Sequence, residues 1–506
     1  MQHQMAGLLE LSHELLHCIF TEINHADLAA LGASCKTLHS YIKGNRLLHK
    51  ELYIGRYDQP AALPELDWEE ELHQLISLEK LLKSQDRGIK RDNIEFVCNK
   101  INDLLVTARA DYSPEHGTSS TIKLLSNYFQ DDNNIDSFLC ASSLFDRVRN
   151  EELSAADTPA QRQASAKLHC LYGVPIDGGV PPRHPSIFRR SSDFTLAPSA
   201  CTRSRTRPPV TNIWARAKVY DLREYTDNTM WGPFMNDLSC NVDWEKMEAV
   251  MIVLGFNLRK FHERSDRRFD LVWAHPFLGA TPNSYIPPPL VAGPTKDLDA
   301  DVIKIDETSK SLDEQDPYGV SGTWMRVVCF LDYNDLYAFN FASIVPEGEA
   351  RPAIDTEEAI RLIKIKLQVT KICPPGSSGE DEDDDEDDGW DWSNFRGERL
   401  PVVHFRGTSR SLHASWDPNA NSRIRGTVRQ TPEGEVRWTT FSIFHGEERW
   451  RSEGIQVGGL RSGRGVLGSW FDRDYDAHGP AGPTAFWKVS DELEEESASS
   501  IPLAFF

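Results

Sequence analysis

The run Arg361-Leu362-Ile363-Lys364-Ile365-Lys366-Leu367-Gln368-Val369-Thr370 alternates at every step and puts Ile363, Ile365, Leu367 and Val369 on one face. A period of two fits a half-buried strand and cannot make the apolar stripe of a helix. Other segments share this texture. Residues 323–330 read as a second strand. Residues 424–430, a turn at Thr431-Pro432-Glu433-Gly434, 436–444, a turn at His445-Gly446, 449–457 and 465–471 follow as a meander. Short strands joined by tight turns imply an antiparallel sandwich or a closed barrel. Gly322-Thr323-Trp324 and Gly468-Ser469-Trp470 echo one another, pointing to equivalent strands.

Nearer the amino terminus the period changes. Between residues 67 and 172, Ile94, Val97, Ile101, Leu104 and Leu105 recur at helical spacing. So do Ile122, Leu125 and Phe129, then Ile135, Phe138, Leu139, Ser142 and Phe145. A further helix over 154–172 should end at Gly173, with Pro175 just beyond. These stripes are core positions of a helical spacer, and they follow no fixed repeat period. The fold class expected is α+β and multidomain. It comprises an amino-terminal three-helix module over 1–54, a helical spacer over 55–173 and a loop-rich linker over 174–210. An antiparallel β-barrel or sandwich over 211–490 and a tail over 491–506 complete it. The linker carries Gly178, Gly179 and Pro181 with Arg183, Arg189, Arg190, Arg203, Arg205 and Arg207, the composition of a solvated segment. Within the β region, the acidic run 380–388 should repel itself into a disordered insertion at about 375–395.

Charge and cysteines narrow the function. A formal charge of −22 over 506 residues disfavours phosphate contacts, so nucleic acid is not an expected partner. Nine scattered cysteines, without a Cys-x-x-Cys pair, suit reduced thiols in cytosol or nucleus. Met1-Gln2-His3-Gln4 lacks the basic region of a leader, and no apolar run reaches membrane-spanning length; a soluble intracellular protein is expected. Nucleophile-elbow, phosphate-loop and dinucleotide motifs are missing from the sequence, so neither a cofactor nor an enzyme activity is expected from them.

The segment Leu11-Ser12-His13-Glu14-Leu15-Leu16-His17-Cys18-Ile19-Phe20 is amphipathic. Leu11, Leu15, Leu16, Ile19, Phe20 and Ile23 form one broad apolar arc, with His13, Glu14 and His17 outside it. Asp27 can cap a second helix carrying Leu28 and Leu31, Cys35 continues its apolar face, and residues 47–53 make a third helix. So few residues cannot bury all these leucines among themselves, and the surplus suits a partner's groove. In order and spacing this stretch resembles an F-box, the helical module that docks a protein onto a ubiquitin ligase. Ser12 stands where the family usually has Pro, and it too can cap a helix. The resemblance implies that Leu11, Leu15, Leu16, Ile19, Phe20, Ile23, Leu28, Leu31 and Cys35 bind a Skp-type adaptor. The same helix also spells His-Glu-x-x-His, a zinc-hydrolase motif in which His13 and His17 would hold the metal and Glu14 would act as base. A third ligand at the extended motif's spacing is missing, because Phe20 and Ile23 replace the Gly and His needed there. The metal reading is therefore the alternative.

Trp231-Gly232-Pro233-Phe234, Val242-Asp243-Trp244-Glu245, Gly322-Thr323-Trp324-Met325-Arg326 and the stretch from Gly468 to Lys488 resemble a group of fungal F-box proteins. More distantly they are similar to animal F-box-only proteins whose carboxy-terminal β-barrel receives the substrate. The resemblance implies a substrate receptor of an SCF-type cullin–RING ligase, a protein that holds a target for ubiquitination and proteasomal degradation without doing covalent chemistry. Loops gather at barrel mouths. On that ground Tyr475, His478, Phe486 and Trp487, around a Gly-Pro-rich turn, are the candidate substrate contacts. Asp472, Asp474 and Asp476 alternate like calcium ligands, but the Gly and terminal Glu of such a loop are misplaced.

Overall fold

The computed structural model describes residues 8–60, 66–109, 119–147, 154–174, 210–264, 273, 275–285, 311–346, 348–377, 399–412 and 421–493. Nearly all of the expected linker, the acidic run with most of its insertion, and the tail beyond 493 lie outside the described residues.

The β region is a closed antiparallel barrel. Its strands are β1 (Gly322–Phe330), β2 (Ala359–Cys373), β3 (Val402–Ser411), β4 (Asn421–Gln430), β5 (Val436–Phe444), β6 (Glu447–Gln456), β7 (Val466–Asp472) and β8 (Ala481–Ser490). Each strand pairs with its neighbour in sequence, and β8 closes onto β1. Ile363, Ile365, Leu367 and Val369 all face the lumen, as their alternation predicts. Between β5 and β6 the chain reverses through His445 at φ 53° and Gly446 at φ 91°, the doubly left-handed turn that matches strand twist. Trp324 and Trp470 both point inward, on the two strands flanking β8. Their β8 partners, Lys488 and Gly482, put them at opposite ends of the lumen, so the echo of their sequences is not one of position.

Strands β3 and β8 are not apparent from periodicity. In β3 the inward positions pass from Val403 and Phe405 to Gly407, Ser409 and Ser411, so the alternation fades where the lumen turns polar. Strand β8 opens on Ala481-Gly482-Pro483, which reads as a turn.

Residues 211–321, assigned to the β region by sequence, contribute no barrel strand where described. Helices span Val210–Val219 and Trp244–Arg264, and the barrel begins only at Gly322. In the second helix Met247, Ala249, Val250, Met251, Ile252, Val253, Leu254 and Leu258 are all buried. It packs against the Pro159–Tyr172 helix on one side and β7 and β8 on another. Being buried on every side through its middle, it lacks the exposed polar face that betrays a surface helix, and its β-branched residues imitate a strand.

The spacer helices carry the expected stripes as core: Ile94, Val97, Ile101, Leu104 and Leu105 are all buried. The helix ending before Gly173 starts with a capping box between Thr158 and Gln161, has Pro159 in its first turn, and stops where Gly173 takes φ 92°. One apolar cluster runs from Tyr53 through these helices to Ile455, Leu467 and Trp487 on the outside of the barrel. Spacer and barrel therefore share a core. No disulfide joins the described cysteines, and no described helix is long and apolar enough to cross a membrane.

Candidate functional site

Four short helices form the amino-terminal module, where three were expected: α1 (His13–Thr21), α2 (Leu28–Ser34), α3 (Lys36–Ile42) and α4 (Arg46–Ile54). The additional break comes at Cys35, whose backbone is extended at φ −158°, ψ 161°. Ser12 caps α1 by accepting from the Leu15 amide, so it serves in the place of the family's proline. Asp27 stands at the N-cap of α2 without a side-chain cap bond, because a 3-10 turn over His25–Asp27 leads into the helix.

The apolar arc of α1 is divided between two jobs. Leu16 and Phe20 are buried with Leu28, Leu38, Ile42, Leu48 and Leu52, and with Leu72 and Ile76 from the following helix α5 (Trp68–Lys83). These side chains hold the module together and tie it to the spacer. Leu15 and Ile19, one helical turn apart, are instead 53% and 40% exposed. Leu11, Ile23, Leu31 and Cys35 lie half-buried at the margin of the core. Of the nine residues expected to meet an adaptor, Leu16, Phe20 and Leu28 are thus core residues of the chain itself. The four short helices and one face of α5 suffice to cover them. Sequence reasoning missed Leu8, Leu9 and Leu47, which are also exposed. The first two precede the amphipathic run in a 3-10 turn, and Leu47 sits beside the buried Leu48 on α4.

A buried carboxylate fastens the module to α5. Glu79 takes Arg56 Nε at 2.8 Å, Lys83 Nζ at 3.0 Å and His25 Nε2 at 3.2 Å, and Tyr57 donates to it at 3.0 Å. Burial alone would raise its carboxyl, but the hydrogen bonds and charges of His25, Lys83 and Arg56 outweigh burial and hold it well below the carboxylate range.

The F-box domain model matches residues 8–50. The chain carries an F-box domain. Nothing among the curated proteins or the solved structures matches the chain. Within the F-box, His17 Nε2 contacts Glu51 Oε2 on α4 at 2.8 Å, and His13 packs against the Tyr41 ring with centroids 5.5 Å apart. Both histidines hold helices of the F-box together. Among the described residues no three His, Cys, Asp or Glu side chains are grouped to hold a metal, so nothing supports the zinc-hydrolase alternative.

The four candidate substrate contacts do not converge. Phe486 and Trp487 are neighbours on β8 and face opposite ways. Phe486 lies in the lumen against Trp324 and Trp438, and Trp487 is buried outside against Trp273. Tyr475 packs on Trp231 at 5.2 Å and meets Arg451 through its hydroxyl at 2.5 Å. His478 alone is largely exposed, stacked at 4.7 Å on Phe341. From there an exposed aromatic ladder continues through Tyr337 to Tyr333 along the helix Tyr333–Phe341. Three of the four expected contacts are therefore packing residues. The alternation of β8 decides this for Phe486 and Trp487. At the other end of the barrel a cleft of about 330 Å³ lies between Trp324, Tyr318 and Tyr285. Its charged side chains are already engaged, Asp491 with Lys488 at 2.6 Å and Asp316 with the Tyr318 and Val320 amides.

Proposed function

We propose that this chain is the target-binding subunit of an SCF-type cullin–RING ubiquitin ligase, acting in the cytoplasm or nucleus. The F-box docks a Skp-type adaptor, which links the chain to a cullin, and the barrel holds a protein whose lysines are then modified. An F-box domain supports such a receptor role in general. The observation that carries the reading here is the exposure of Leu15 and Ile19 on a helix whose Leu16 and Phe20 are buried. The surplus apolar surface is what an adaptor would cover. The chain's part is to hold the target near a ubiquitin-charged enzyme, which raises the effective concentration of the reacting groups.

The double substitution Leu15→Asp with Ile19→Asp should lower adaptor affinity by more than about 100-fold, since two central anchors are typically worth at least 2 kcal/mol each. Both side chains are exposed, so helix content by circular dichroism should be unchanged. Adaptor copurification at the wild-type level would refute the docking surface. Adaptor capture without a cullin in the same complex would instead mark a scaffold outside any ligase.

A further inference from the structure

Strand β1 points Trp324, Arg326 and Val328 into the barrel, because alternate residues share a face. Arg326 is 5% exposed, and its Nε donates to Thr484 Oγ1 on β8 at 3.0 Å. Among the described residues that is its one hydrogen bond, and no carboxylate stands beside it. Burial, with no opposing charge, pushes its pKa down to about 10, so it stays protonated at neutral pH. Four other buried arginines are each matched by a carboxylate. Arg216 meets Glu358, Arg351 meets Asp221, and Arg437 and Arg451 share Glu453. A buried cation is costly to keep without its counter-charge. Arg326 differs from these four in having no carboxylate beside it among the described residues.

The surroundings suit an anion small enough to enter. Around the same level of the lumen, hydroxyls pair across neighbouring strands, Ser409 with Ser422 at 2.6 Å and Thr440 with Ser452 at 2.5 Å. They are neutral, and each can turn to donate. Beyond Arg326 the lumen is floored by the rings of Trp324, Trp438 and Phe486, with centroids 5.1–5.7 Å apart. Toward the opposite end, the inward-facing Val328, Ile363 and Ser442 remain partly exposed, so the lumen opens to solvent there.

We propose that the barrel lumen binds a carboxylate, with Arg326 as its charge partner and the lumen hydroxyls as supporting donors. The two terminal nitrogens of the guanidinium form a fork that fits both carboxylate oxygens. One cation among neutral hydroxyls balances a monoanion and leaves a phosphate dianion half-compensated. The carboxylate comes either from an Asp or Glu side chain of a target or from a chain's carboxy terminus. The site deepens the reading of the barrel as target-holding and rests on it only for the ligand's being a protein.

The test uses the full chain, following tryptophan emission from the lumen. The side-chain probe is N-acetylglutamate methylamide and the chain-end probe is N-acetylphenylalanine. Each is compared with its neutral amide, and methyl phosphate serves as the dianion. At least one acid should bind saturably and its amide should not; which acid binds names the source. Arg326→Gln should weaken binding by about 30-fold or more, as expected when a buried charge partner is lost. Arg326→Lys, which keeps the charge and loses the fork, should fall between the two. Near-UV circular dichroism of the lysine variant shows that the barrel is intact. Equal binding of acid and amide, tighter binding of methyl phosphate, or unchanged binding by both variants would overturn the proposal. Adaptor copurification, read on the same preparations, keeps a failure here distinct from a failure of F-box docking.

Discussion

Glu453→Gln should lower the thermal midpoint by roughly 10 °C, the consequence of about 3–5 kcal/mol lost when one partner leaves a buried ion cluster. Glu453 sits on the outer face of β6 and is fully buried. Arg437 Nε reaches it at 2.8 Å and Arg451 at 2.6 Å, and the Thr439 hydroxyl donates to it at 3.0 Å. The Arg437 guanidinium lies over Phe234 at 4.9 Å, and Arg451 also meets Tyr475, so the cluster joins the barrel to the loops packed against it. Removing the carboxylate leaves two arginines in the interior with their counter-charge gone. By contrast, Lys260→Gln removes an ion pair with Glu357, whose side chain is 69% exposed, and should change stability by less than about 1 kcal/mol. Differential scanning calorimetry of both variants separates the two cases, and equal small shifts would refute the role given to Glu453.

The same cluster sets an acid limit. Burial would raise the Glu453 carboxyl, but the charges and hydrogen bonds of Arg437 and Arg451 outweigh burial and hold it below the ordinary value. A carboxyl lower in the folded than in the unfolded chain contributes fully above its unfolded value, near 4.5, and loses that contribution as pH falls toward the folded value. Stability of the wild type should therefore drop more steeply below about pH 4.5 than that of Glu453→Gln. Parallel curves would contradict this assignment.

Phe20→Ala should cost the F-box about 3–5 kcal/mol, the usual loss for a large aromatic removed from a core. Phe20 is fully buried and meets Tyr41 edge-on at 5.4 Å between centroids. In the same helix Leu15→Ala should change stability by about 0.5 kcal/mol or less, because that side chain is mostly in solvent. Limited proteolysis between α1 and α4 should thus open in the first variant and not in the second. Both should bind adaptor more weakly, one because the helices loosen and the other because an anchor is missing. If Phe20→Ala leaves the helices as resistant as wild type, then Phe20 is not the core residue described above.

Much of the chain is legible from pattern. The alternation over 361–370 specifies a strand and which of its faces is buried, the capping signals place the helix ending at Gly173, and the order of apolar residues near the amino terminus is that of an F-box. Pattern fails where two environments demand the same residues. The Trp244–Arg264 helix is enclosed on all sides, so it shows no polar face to set its period. Strand β3 lines a lumen that changes from apolar to polar along its length, and its alternation fades with it.

Local order along the chain determines which elements form, because spacing of two or 3.6 residues is a property of neighbours in sequence. It also places Arg326 on the same face as Trp324. Only the tertiary structure decides that α1 buries Leu16 and Phe20 while leaving Leu15 and Ile19 in solvent, and that no acid among the described residues stands opposite Arg326. The reason is that exposure and charge pairing depend on what distant segments bring alongside. A helix cannot show in its own sequence how much of its apolar arc a later helix will cover.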